Sequence, residues 1–91
     1  MNANVVGRQI KWHELKTWPE VFGWSLSGTK MFEARMNDRD FMPGDFLLLR
    51  EWNPITEKYT GRSISRQILY ILEDGQFGLP QNMVIMQLAM A

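Results

Sequence analysis

The spacing of apolar residues along this chain changes period several times, and each change marks an element. From Arg8 to Lys16, Ile10, Trp12 and Leu15 mix with Lys11, His13, Glu14 and Lys16, a pattern that suits a short, partly exposed strand. Trp18, Val21, Phe22, Ser25 and Leu26 then follow the i, i+3, i+4, i+7, i+8 stripe of an amphipathic helix. Thr17-Trp18-Pro19-Glu20 reads as its capping box, Pro19 falls in the first turn where no amide donor is needed, and Gly28 stands where a left-handed C-terminal cap belongs. The helix is therefore expected over Trp18 to Ser27, with Trp18 in the core and Trp24 off the stripe.

Met31 to Met36 alternate, which puts Phe32, Ala34 and Met36 on one face of a strand and the charged pair Glu33 and Arg35 together on the other. Asn37-Asp38 turns the chain, and Met42-Pro43-Gly44-Asp45 fits a type II turn. A strand from Asp45 to Trp52, a hairpin loop from Asn53 to Lys58, a long returning strand from Tyr59 to Glu73 and a last apolar strand from Met83 to Leu88 complete the pattern. On the long strand Ile64, Ile68, Tyr70 and Leu72 are expected to form the core face. One helix and about five strands with no crossover helices predict an α+β fold, a small, mostly antiparallel β-barrel with the helix packed over one opening.

Length and composition narrow what this barrel can do. Ninety-one residues make one domain, expected over residues 8–91 behind a loose arm at residues 1–7. Hydrophobic residues make up 45% of the chain, enough to fold without staples. Ten basic residues balance ten acidic ones, so bulk charge recruits no partner. There is no cysteine and only one histidine, His13, so neither thiol chemistry nor a paired-His or Cys metal site is expected, nor any cofactor. The longest aliphatic run, Phe46 to Leu49, is far too short for a membrane span or an export signal, and the expected location is the cytoplasm.

The densest polar constellation is Gly28-x-Lys30-x-x-Glu33-x-Arg35, followed by Asn37-Asp38-Arg39-Asp40. Preceded by an amphipathic helix and followed by Gly44-Asp45 at the head of an apolar strand, it resembles the ASCH (activating-signal-cointegrator homology) family of the PUA-like superfamily. His13-Glu14-Leu15-Lys16, Phe32-Glu33-Ala34-Arg35, Leu49-Arg50-Glu51 and Tyr59-Thr60-Gly61-Arg62 make it similar, from His13 to Leu88, to a small branch found in phages and prophages. The resemblance implies a PUA-like barrel whose helix and strands enclose a polar cleft lined by the motif. Members of this branch usually carry a threonine at Met31 and a basic residue at Met36. A related bacterial branch hydrolyses acylated cytidine with the motif lysine, a threonine three residues on and a distant glutamate. Here Glu33 replaces that threonine, and a carboxylate is no substitute for a hydroxyl nucleophile in amide hydrolysis.

A binding domain is therefore expected rather than an enzyme. Its ligand is RNA or a modified nucleoside or nucleotide, met by His13, Lys16, Lys30, Glu33, Arg35, Asn37, Asp38, Arg39 and Arg62, with Trp24 as the candidate stacking face. Lys58, Arg62 and Arg66 form a second basic set, read as a positive rim leading to the cleft. Two alternatives stay open. One is a nucleoside amidohydrolase with Glu33 as base and Lys30 steadying the oxyanion, opposed by Arg35 as a competing ion-pair partner. The other is a phage-encoded protein that binds a host factor through an apolar surface around Trp24.

Overall fold

Alternation governs the first strand, β1 (Trp12–Thr17), in which His13, Leu15 and Thr17 turn inward while Trp12, Glu14 and Lys16 stay exposed. The computed structural model describes residues 8–73 and 75–91, so the expected N-terminal arm at residues 1–7 and the turn residue Asp74 lie outside the described residues. Helix α1 (Pro19–Leu26) follows at once, with Pro19 in its first turn and Gly28 at φ +82° just beyond its end. Three strands and a further edge complete the element order: β2 (Phe32–Met36), β3 (Phe46–Asn53), β4 (Lys58–Leu72) and β5 (Met83–Met90).

The strands form one five-stranded sheet in the order β1-β3-β4-β5-β2. Three of its four pairings are antiparallel and β1 runs parallel to β3. The pairing is thus mostly antiparallel, as expected, and the parallel exception arises because α1, β2 and the following loop together give the chain enough length to return in the same direction. The sheet curls into a half-barrel and does not close. Its edges, β1 and β2, are bridged by side chains instead of a ladder: Arg35 Nη2 donates to the Lys16 carbonyl at 3.2 Å, and Arg39 Nη1 donates to the Glu14 carbonyl. The concave face holds the core of Leu15, Leu47, Leu49, Ile68, Val84, Met86 and Leu88, with Phe41 closing it from the β2–β3 loop. Burying this apolar area is the main favourable term in folding.

Helix α1 lies against β3, with Phe22 and Ser25 buried. Arg66 of β4, 5% exposed, donates to the Ser25 carbonyl at 2.8 Å and so meets the negative end of the helix. Arg62 lies 5.0 Å from the Phe22 ring centroid. The turn at Pro43-Gly44 is as expected: Gly44 has φ +94°, and the Asp45 amide donates to the Met42 carbonyl at 3.1 Å.

Several expectations are corrected. Trp18 is 59% exposed, since it occupies the N-cap position where the chain swings out of β1, and the buried stripe begins at Phe22. Thr17 caps nothing: it is the buried last residue of β1, and its hydroxyl makes only a long, 3.4 Å bond to the Leu15 carbonyl. Thr17→Val is thus expected to change stability by less than about 0.5 kcal/mol in a urea melt, because removing a weakly bonded hydroxyl together with its solvation cost is nearly neutral. Loss of a true N-cap would cost about 1 kcal/mol. On β4 a register shift between Ile68 and Tyr70 moves Ile71 onto the core, while Tyr70, expected inside, is 55% exposed. On β2 the two faces are grouped as expected, and the charged one turns inward: Glu33 is 3% exposed, whereas Phe32 and Met36 face solvent.

Candidate functional site

Glu33 reaches the concave face because β2 is an edge strand whose inward positions are Glu33 and Arg35. Its carboxylate is held from both sides. Lys30 Nζ bonds Oε2, and Arg35 Nε bonds Oε1 at 3.1 Å. Lys30, immediately after the Gly28 turn, also donates to the Phe32 carbonyl at 2.7 Å. Arg35 spends a second nitrogen on Lys16, so the Gly-x-Lys-x-x-Glu-x-Arg motif is a closed ion-pair cluster tying the helix's exit to the β1–β2 seam.

A shallow depression of about 250 Å³ opens beside that cluster, lined by Leu15, Arg35, Met36, Asp38, Arg39 and Phe41. Leu15 and Phe41 are buried and supply an apolar floor. Arg35 and Arg39 reach it from β2 and the loop, and the largely exposed Asp38 carboxylate lies 3.7 Å from Arg39 Nε. Asn37 shapes the loop by accepting from the Phe41 amide at 3.1 Å. A second, apolar depression of about 290 Å³ lies between α1 and the start of β2, lined by Val21, Trp24, Thr29, Lys30 and Phe32. Trp24, 50% exposed, stands in this groove and not over the polar one.

The other expected site residues are distributed elsewhere. His13 is buried, with Nε2 2.9 Å from Asp45 Oδ2 and its ring edge-on to Phe41 at 4.7 Å between centroids. Lys16 projects outward, with Nζ 4.1 Å from the Trp52 ring centroid. Arg62 is committed to Glu51, through Nε at 3.0 Å and Nη2 at 3.2 Å, and Thr60 Oγ1 adds a third donor at 2.6 Å. These donors, that of Arg62 first, hold the Glu51 carboxyl below its usual range. Arg62 and Arg66 therefore form no free positive rim: one is neutralised by Glu51 and the other serves the helix end.

The residue patterns alone do not reveal the most heavily bonded side chain among the described residues. Asp45, 0% exposed, accepts from Arg8 Nη1 at 2.9 Å and Nη2 at 3.1 Å, from the Lys11 and Met42 amides at 3.1 Å each, and from His13. Burial alone would raise its pKa, but the hydrogen bonds from Arg8, His13 and the two amides together overcome it and hold the carboxyl far below the usual range. Arg8 thus anchors the head of the domain. The signal was Gly44-Asp45 itself, an acid placed at the buried end of a turn.

Among the described residues no cluster of His, Cys, Asp and Glu is arranged to hold a metal ion, and no helix is long and apolar enough to cross a membrane. The fold and the seam define a small α+β half-barrel domain with one helix, a sealed ion-pair motif and a polar depression at the meeting of its two edge strands. Residues 12–88 match the family described as Domain of unknown function (DUF3850), and the chain belongs to that family. It is also 38% identical over 58 residues to the "Uncharacterized 12.9 kDa protein in GpA 3'region" of Escherichia phage P2. That match covers 64% of this chain and 51% of the phage protein, about half the relative's length.

Proposed function

We propose that this domain is a PUA-like, ASCH-related module that recognises RNA or a modified nucleotide in the depression at the β1–β2 seam. The observation that carries the reading is the convergence of Arg35, Arg39 and Asp38 over the apolar floor of Leu15 and Phe41. A guanidinium has five donors, and the bonds from Arg35 and Arg39 to backbone carbonyls leave several of them for phosphate or base oxygens. Asp38 can accept from an exocyclic amine, and the floor suits the face of a base. Lys30 and Glu33 hold Arg35 in place, and Asn37 holds the loop. Affinity should be modest and weakly salt-dependent, because few phosphates are contacted and the chain has no net charge.

Calorimetric titration with nucleoside monophosphates and short single-stranded RNAs tests this. Arg39→Ala is expected to weaken binding about tenfold or more, the cost of a hydrogen bond to a charged group. Lys11→Ala, an exposed lysine only 3.9 Å from Asp40, should change it less than about twofold. Equal losses from both would reduce the effect to non-specific charge. Absence of binding would favour the second reading, a phage-type protein that docks on a host factor through the apolar groove of Trp24 and Phe32.

A further inference from the structure

The convex face of the sheet carries a constellation that the seam does not use. Alternation turns Trp12, Glu14 and Lys16 of β1 outward, and the parallel register sets Lys16 beside Arg50 of β3. Trp52 pairs with Tyr59 across the β3–β4 hairpin. Lys16 Nζ lies 4.1 Å from the Trp52 ring centroid and the Arg50 guanidinium 3.8 Å from that of Tyr59. At the other end Trp12 stacks on Phe46 with centroids 4.7 Å apart, yet is 58% exposed. Glu14 bonds Arg50 at 3.1 Å, and Lys16 has no ion pair among the described residues.

We propose that this convex face is a platform for single-stranded nucleic acid, with bases stacked on Trp12, Trp52 and Tyr59 and phosphates met by Lys16 and Arg50. The cations lie against rings instead of acids, so positive charge and π surface are presented together, the combination that follows an unpaired strand. A protein partner would favour a face whose centre is free of charge, and here the cations stand at the centre. A duplex keeps its base faces stacked internally and cannot use the rings. The platform goes beyond the seam reading and does not depend on it, although the two adjoin: the Glu14 and Lys16 carbonyls gripped by Arg39 and Arg35 belong to the same strand.

The four tryptophan indoles provide the test, two on the platform and two on or beside α1. Nitrogen-15 spectra of the full chain, with indoles assigned by single Trp→Phe changes, are recorded with single-stranded RNA and DNA of about ten nucleotides, the matching duplex, and a mononucleotide. Either single strand should shift Trp12 and Trp52 and leave Trp18 and Trp24 in place, with RNA and DNA separated by relative affinity. Tyr59→Ala should weaken oligonucleotide binding about tenfold while leaving mononucleotide binding at the seam unchanged. Shifts confined to Trp18 and Trp24, equal binding of the duplex, unaltered affinity in Tyr59→Ala, or no oligonucleotide binding would overturn the platform. Loss of mononucleotide binding alone would count against the seam and not against the platform.

Discussion

Replacing Asp45 with asparagine is expected to remove about 3 kcal/mol of folding stability, the largest single effect foreseen for this domain. The carboxylate is fully buried at the head of β3 and gathers the Arg8 guanidinium, His13 and two backbone amides. Asparagine keeps the shape but leaves the Arg8 charge without a counter-ion and offers one acceptor oxygen where two were used. In urea the midpoint should fall with little change in slope, since the surface exposed on unfolding stays the same. A pH series adds a signature that packing loss would lack. Because the folded-state pKa of Asp45 is depressed, its contribution is complete above the unfolded value and is lost as pH falls. The stability gap between wild type and Asp45→Asn should therefore narrow steadily below about pH 4. A gap that stays constant down to about pH 2 would mean that the carboxylate is not the source.

Glu33→Gln is expected to have the second largest effect on stability, about 2 kcal/mol, and none on hydrolysis of N4-acetylcytidine, which the wild-type protein should not turn over. Both Glu33 oxygens already accept from cationic donors, which favour the ionised, weakly basic carboxylate, and the side chain is 4% exposed, which leaves little room for an attacking water. The acylated-cytidine chemistry suggested by the resemblance also lacks its hydroxyl, because Glu33 occupies the threonine's place. Chromatography of N4-acetylcytidine incubated with purified protein reads this directly. Turnover abolished by both Lys30→Met and Glu33→Gln would instead establish a water-activating enzyme.

Local chemistry was legible in the sequence wherever a residue's neighbours in the chain decide its state. The helix at Pro19–Leu26, the left-handed Gly28 and the turn at Pro43-Gly44 each follow from a few adjacent residues. So does the co-facial placement of Glu33 and Arg35, which alternation alone dictates. What alternation leaves undecided is which face of a strand turns inward. On β2 the buried ion-pair cluster won over the apolar face, because Lys30 and Arg35 compensate Glu33. The bulge near Leu69 likewise resets the inward parity of β4, and no signal in Ile68 to Leu72 announces it.

The site divides in the same way. Gly-x-Lys-x-x-Glu-x-Arg forms one unit, an ion-pair cluster in which Lys30 and Arg35 close on Glu33 while Arg35 also borders the polar depression. Asp45 with Arg8 and His13, and Glu51 with Thr60 and Arg62, depend on partners that only the β1–β3 and β3–β4 registers bring together. Several sequence segments that carry the resemblance are explained by these latches: Glu14 meets Arg50, Glu51 meets Thr60 and Arg62, and His13 meets Asp45.

The central claim, recognition of a nucleotide at the β1–β2 seam, is tested most directly by mapping backbone amide shifts while a panel of plain and modified nucleoside monophosphates is added. The account predicts saturable shifts concentrated at Glu14 to Lys16 and Arg35 to Phe41, lost in Arg39→Ala. Shifts confined to the groove between Val21 and Phe32, or no saturable shift with any nucleotide, would contradict it.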